Sequence, residues 1–221
     1  MICVIPVRGG SKGVPGKNLR KISGTSLLSI AIIKAEEFFG RKTFVLADTE
    51  KLAEHAKAVR PDIIVYRDGR SIPDTEDVSI RLLEANTLFP QGEIIVLMQC
   101  TSPKISRRTL ALFIDAAKQL RQGEALLAVS PLNKKPNALF QIDISGELKP
   151  MNPNAPAVTF PRQVLPPAWW FCGALSAFHK DAIDRGKPSV FSGLKLIPFF
   201  IPEHESSDID REEDFLNGEN N

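Results

Sequence analysis

The amino-acid sequence predicts an α/β fold built on a mainly parallel, doubly wound sheet, and three observations carry that prediction. Strand-like and helix-like stretches alternate from Ile2 to Ser130, the rhythm of a right-handed βαβ architecture. Glu93 to Gln99 (EIIVLMQ) is a nearly unbroken apolar run, as expected of a strand covered on both faces. A glycine-rich loop directly follows the first apolar run, where open α/β sheets present ligand sites at their strand carboxyl ends.

The elements follow in order. Ile2 opens a strand that breaks into VRGGSKGVPGKN. Ser26 to Phe39 (SLLSIAIIKAEEFF) places apolar residues at helical spacing, with Gly40 as its stop. Thr43 to Ala47 reads as a strand, Lys51 to Val59 as a short helix, Ile63 to Tyr66 as a strand, and Asp77 to Phe89 as a helix ending before Pro90. After the Glu93–Gln99 strand, Thr109 to Arg121 is helical and Ala125 to Ser130 is again a strand. Between Pro131 and Pro167 prolines become dense, so regular helices cannot run through. There Leu139 to Ile144, Ser145-Gly146 and Glu147 to Lys149 read as a hairpin, part of an antiparallel excursion over 131–167. Its apolar positions need a partner, and a second subunit would serve. Trp169 to Phe178 returns to the sheet, Asp181 to Arg185 is a helical turn, Leu194 to Phe200 a late strand, and Arg211 to Asn217 a closing helix. At 221 residues, one domain over 1–221 with that inserted arm is expected.

Charge is distributed unevenly. Residues 1 to 21 carry Arg8, Lys12, Lys17, Arg20 and Lys21 with no acid, whereas 203 to 221 carry eight acids against Arg211. One basic loop plus one acidic segment suits a small anionic ligand and a metal better than nucleic acid, which calls for basic charge spread over a face. Cys3, Cys100 and Cys172 form no C-x-x-C pair, which argues against zinc and disulfides and for a reducing cytosolic setting. With no leader-like pattern and no apolar run of membrane-spanning length, the expectation is a cytoplasmic protein with no membrane partner.

The loop after the first strand reads as a phosphate cradle. Gly9, Gly10, Gly13 and Gly16 allow tight bends and close approach, while Arg8, Lys12 and Lys17 supply cationic charge. Its spacing matches neither a P-loop nor a dinucleotide fingerprint, and the plain alternative is a solvated basic loop. Asp208 and Asp210 are metal candidates: in extended backbone an i, i+2 pair projects to one side, with Ile209 turned into the core, and hard oxygens with substrate phosphates suit Mg²⁺. The same pattern also reads as an N-cap by Asp210 ahead of an acidic helix. His55, His179 and His204 sit in no recognisable catalytic setting.

Three blocks, PVRGGSKGVPGKNLRKISG, LMQCTSP and SDIDREEDF, occur in the order and over the span that resemble the cytidylyltransferases activating sialic acid and related nonulosonic acids as CMP-sugars. The first block is specific, because the related enzyme for the eight-carbon acid Kdo has a different loop. The resemblance implies a Rossmann-like nucleotidyltransferase fold whose arm swaps across a homodimer, and a reaction in which CTP and a 2-keto sugar acid give CMP-sugar and pyrophosphate with Mg²⁺. It implies nucleotide contacts from Arg8, Gly9, Gly10, Ser11, Lys12, Lys17, Asn18 and Arg67, with Asn18 near the ribose and Arg67 near the base. Without the resemblance, Asn18 reads as a loop cap and Arg67 as a surface cation. It implies catalytic roles for Arg8, Lys12, Lys17 and Asp210, and a sugar site of Gln99, Thr101, Ser102, Cys172, Gly173 and a neighbouring subunit's Arg162. Three departures stand out: Cys172-Gly173-Ala174 replaces Asn-Gly-Ala, Leu46-Ala47-Asp48 replaces Ser-Thr-Asp, and an arm lysine has no clear match near Lys134, Lys135 and Asn137. The sugar acid is therefore open. A nucleotidyltransferase for another sugar or nucleotide, or a non-catalytic nucleotide-binding regulator, are the alternatives.

Overall fold

The computed structural model describes residues 1–11, 13–73, 75–133, 138–152 and 167–219. The expected alternation is present. A seven-stranded sheet has the order β11-β7-β10-β6-β1-β4-β5, formed by β1 (Ile2–Val7), β4 (Thr43–Ala47), β5 (Ile64–Arg67), β6 (Ile94–Met98), β7 (Glu124–Pro131), β10 (Trp169–His179) and β11 (Lys195–Phe200). Two small hairpins complete the strands among the described residues: β2 (Lys21–Ile22) with β3 (Thr25–Ser26), and β8 (Phe140–Ile142) with β9 (Leu148–Pro150). The first of these hairpins has no periodic signature in the sequence.

Pairing runs parallel from β6 through β1 and β4 to β5, and between β7 and β11. Strand β10 lies antiparallel to both β6 and β7, so Trp169–His179 returns to the sheet reversed rather than continuing the parallel order. A parallel return would need a crossover, usually helical, and the proline-dense stretch between β7 and β10 has no helix among the described residues.

Local chemistry explains the helices. Helix α1 (Leu27–Phe39) starts where Ser26 Oγ accepts the Ser29 N–H, and stops at Gly40, whose φ of 51° favours glycine. Thr49 caps α2 (Glu50–Val59), Asp77 caps α3 (Val78–Glu84) and Ser106 caps α4 (Arg107–Ala117) in the same way. The helix expected to reach Phe89 ends at Glu84 and tightens into a 3-10 turn over Asn86–Leu88, where Asn86 Nδ2 turns aside to Asp184 Oδ1 at 2.8 Å. The short α5 (Asp181–Asp184) and terminal α6 (Glu212–Glu219) follow. All six residues of β1 are buried. Cys3, Ile5 and Val7 pack on the side of α1, α2 and α4, while Ile2 and Val4 pack on the side of α3 and α5.

From β1 the chain moves outward through β4 and β5, then crosses back to β6 on the other side of β1. The strand order thus switches between β1 and β6, and the loops leaving their carboxyl ends diverge around a crevice.

Candidate functional site

That crevice is a cleft of about 270 Å³. The loop after β1 lines it with Arg8, Ser11, Lys17 and Asn18, the loop after β6 with Gln99, Cys100 and Thr101, and the segment before α6 with Asp208 and Asp210. Most of the polar residues singled out from sequence therefore meet at one place.

Two glycines of the first loop permit close approach. A Cβ on Gly13 would stand 2.5 Å from the Asp210 carbonyl oxygen, and one on Gly9 would stand 2.7 Å from Thr49 Cγ2. Nothing lies within 4 Å of the corresponding position on Gly10. Gly16, at φ 64°, turns the chain into the 3-10 helix Lys17–Leu19. The loop is tied down by the Gly9 N–H donating to Asp48 Oδ1 at 2.7 Å and by Asn18 Nδ2 donating to Arg8 O at 2.9 Å. Asn18 thus acts as a loop cap through its amide nitrogen. Its buried Oδ1 has no partner among the described residues.

Lys17 Nζ donates to Asp210 Oδ1 at 2.8 Å, joining the basic loop to the acidic segment. The Ile209 N–H donates to Thr101 O at 2.8 Å and its side chain is buried, so the chain is held between the two aspartates while both carboxylates face the cleft. Burial raises the Asp208 carboxyl above the ordinary carboxylate range, helped by the like charge of Asp210 and opposed by Thr101 and Lys17. Asp208 Oδ1 is buried without a hydrogen-bond partner among the described residues. The N-cap expected from Asp210 takes another form: Asp214 reaches back, its Oδ2 accepting from the N–H groups of Asp210 at 2.9 Å and Arg211 at 2.7 Å. The carboxylate of Asp210 is left for Lys17.

Other expected site residues fall at varying distance from the cleft. Ser102 is buried with its Oγ unpartnered among the described residues. Gly173, at φ 74°, sits where the β10–β7 register shifts, a bulge that re-aims the strand. Cys172 is buried, and its thiol faces the backbone of β7, where Ala128 O is 3.3 Å away. The Cys100 thiol is also buried, its pKa pushed up to about 12 by desolvation. Arg67, at the end of β5, pairs with Glu50 at 3.3 Å and donates to Asp48 O, and it is not among the residues lining the cleft. Lys12, Arg162, Lys134, Lys135 and Asn137 lie outside the described residues.

Four charged residues had no role assigned from the sequence. Arg81 and Glu76 line the cleft, Asp68 pairs with Arg81, and Asp48 anchors Gly9. An arginine in an apolar helix reads as a surface cation, and no spacing separates it from one. None of the three histidines lines the cleft: His55 Nε2 is 2.8 Å from Ser26 Oγ, His179 Nε2 is 3.0 Å from Leu120 O, and the His204 side chain is exposed.

Chemically, the arrangement offers fixed cations and backbone for polyphosphate beside two hard carboxylates. One carboxylate oxygen is orphaned and one already carries an ammonium. Among the described residues no group of three His, Cys, Asp or Glu is placed to hold a metal ion, and the carboxylates that face the basic loop across the cleft are the pair Asp208 and Asp210. No described helix is long and apolar enough to cross a membrane.

Residues 2–141 match the family model described as cytidylyltransferase. The chain is 29% identical over 153 residues to the CMP-N,N'-diacetyllegionaminic acid synthase of Legionella pneumophila subsp. pneumophila, a match spanning 67% of this chain and 65% of that one. It is 25% identical over 224 residues to the N-acylneuraminate cytidylyltransferase of Streptococcus agalactiae serotype V, covering 97% of this chain and 51% of the relative. The matches thus span less than two thirds of these relatives' lengths. Among solved structures, a CMP:2-keto-3-deoxy-manno-octonic acid synthetase complexed with CTP superposes with a TM-score of 0.71 at 16% identity, covering 98% of this chain and 95% of that one. At that identity the likeness speaks to the fold.

Proposed function

The chain belongs to the cytidylyltransferase family, and from that premise we propose that it transfers CMP from CTP to the anomeric hydroxyl of a sialic-acid-like (nonulosonic) 2-keto sugar acid, releasing pyrophosphate. The observation that carries the reading is the meeting of Lys17 with Asp210 beside the orphaned oxygen of Asp208, at the mouth of the glycine-rich loop. Attack on an α-phosphate requires the triphosphate to be held and its charge spread. Arg8, Lys17 and Lys12 are the cations for that task, and the pyrophosphate leaving group gains most from them.

Asp208 and Asp210 fit a hard divalent cation such as Mg²⁺, since both line the cleft with carboxylate oxygen and the buried Asp208 Oδ1 has no partner among the described residues. When bound, the ion would neutralise phosphate charge and lower the pKa of the attacking hydroxyl. Asn18 would serve the nucleoside, and Gln99, Thr101, Ser102 and Gly173 the sugar, whereas Arg67, held by Glu50 and Asp48, lies away from the cleft. With Cys172 turned toward Ala128, this chain would address the sugar without a side-chain amide at that position, which favours an acid other than N-acetylneuraminic acid.

A homodimer with exchanged arms belongs to the same proposal. Ile142, Ile144, Leu148 and Met151 of the β8–β9 hairpin are exposed, an apolar surface that a second copy would cover, and Arg162 of the arm would pair the sugar carboxylate across the interface. Incubation with CTP, Mg²⁺ and a panel of 2-keto sugar acids, with pyrophosphate measured, tests the function. Pyrophosphate release with at least one acid is expected. CTP binding without turnover on any acid would favour a regulatory protein, and turnover with another nucleotide would overturn the cytidine assignment.

A further inference from the structure

The reaction proposed above depends on where Arg8 leaves the sheet, and its backbone is bracketed by buried charge. We infer that the Arg81–Asp68 pair is a positioning device for the phosphate loop, holding the carboxyl ends of β1 and β4 so that Arg8 projects from a fixed point. The inference rests on the nucleotide reading of the cleft.

Arg81, on α3, is 4% exposed and Asp68, just after β5, is 1% exposed. Arg81 Nε donates to Asp68 Oδ1 at 3.3 Å and Nη2 to Asp68 Oδ2 at 2.5 Å. The same Nη2 donates to Val7 O at 3.1 Å and to Leu46 O at 2.6 Å. Asp68 is itself seated by its N–H donating to Ala47 O at 2.9 Å. One guanidinium therefore joins the last residue of β1, the penultimate residue of β4 and the turn after β5, on the wall of the cleft.

Arg8 is held from three directions. The carbonyl before it, Val7 O, is on Arg81; the amide after it, Gly9 N–H, is on Asp48; its own carbonyl is on Asn18. Parallel strands end in carbonyls that have no further ladder partner, and such oxygens would otherwise turn partial negative charge toward a polyanion. Arg81 grips both carboxylate oxygens through Nε and Nη2 while Nη2 shares its two N–H groups among Asp68 and the two carbonyls, a rigid planar geometry that a rotatable ammonium does not reproduce. Stability alone is a weak reason for such a pair, because a buried ion pair is often no more stabilising than apolar residues of similar volume. Its location at the root of the loop gives the pair another use.

Two variants test this. Arg81→Lys keeps a charge beside Asp68 and loses the fork; Arg81→Met with Asp68→Leu removes both charges, so no uncompensated ion is left buried. We expect Arg81→Lys to raise KM for CTP by about 10-fold or more, with KM for the sugar acid unchanged, because an error of about 1 Å in placement is enough to cost that much. A merely structural pair would change the melting temperature without splitting the two KM values. In the double variant, hydrogen exchange at the Gly9 amide, measured without nucleotide, should quicken by about 10-fold or more while β6 and β10 amides keep their protection. Wild-type CTP kinetics and wild-type Gly9 protection in both variants would overturn the inference and leave the nucleotide reading standing. Loss of Gly9 protection in a protein whose wild type neither binds nor uses CTP would do the reverse.

Discussion

Replacing Gly13 with alanine isolates the contact that joins the two halves of the site. The new Cβ would lie 2.5 Å from the Asp210 carbonyl oxygen, whereas carbon–oxygen contacts settle at about 3.3–3.6 Å. The loop and the acidic segment must therefore separate by roughly 1 Å. Asp210 is exposed, so the segment has solvent to move into and displacement relieves part of the strain. Overpacking of this kind costs about 1 kcal/mol at the low end, a drop of about 2–4 °C in Tm for a chain of this size. Activity suffers more, because a misplacement of about 1 Å can cost about 10²-fold in rate, equivalent to roughly 2.7 kcal/mol of transition-state stabilisation. The assay is pyrophosphate release with CTP and the acid identified by the panel, with circular dichroism as the fold control. Gly69→Ala, where nothing lies within 4 Å of the new carbon, should leave kcat/KM unchanged. If Gly13→Ala also has wild-type kcat/KM, close apposition of the loop to Asp210 is not what assembles the site.

Three further outcomes are expected. Asp210→Ala should abolish turnover with the fold intact, and truncating its partner by Lys17→Ala should cost about 2–4 kcal/mol in kcat, as for other lost electrostatic donors; near-normal turnover by Asp210→Ala would reduce that residue to a local structural role. Burial first, and the charge of Lys21 second, hold the His55 imidazole below its ordinary value of 6.5. The folded state then binds the proton less readily than the unfolded chain, so the contribution of His55 is complete above pH 6.5 and is lost as pH falls below it. Melting temperatures at pH 8 and pH 5 should therefore fall further for the wild type than for His55→Gln, and equal falls would refute the assignment. Light scattering at micromolar concentration should report a dimer, and Ile142→Asp with Leu148→Asp should yield a monomer; a monomeric wild type would defeat the shared-site idea.

The alternation of elements, the helix stop at Gly40, the glycine-rich loop and the contrast between a basic front and an acidic end are all legible in the sequence. These features are local: periodicities of two and 3.6 residues, capping chemistry and steric freedom act within a few residues and are written in order along the chain. Even the union of Arg8 and Lys17 with Asp208 and Asp210 was legible as charge asymmetry. Features that depend on distant segments are visible in the folded chain alone. The direction of β10 follows from the arm that precedes it, and the rotation of Cys172 toward Ala128 follows from the register shift at Gly173. Arg67 stands apart from the cleft because Glu50 and Asp48 hold it on the edge strand. Arg81 reaches across 74 positions to Val7, and Lys17 across 193 to Asp210. Such contacts are set by how the sheet twists and packs, and residue spacing carries no information about them.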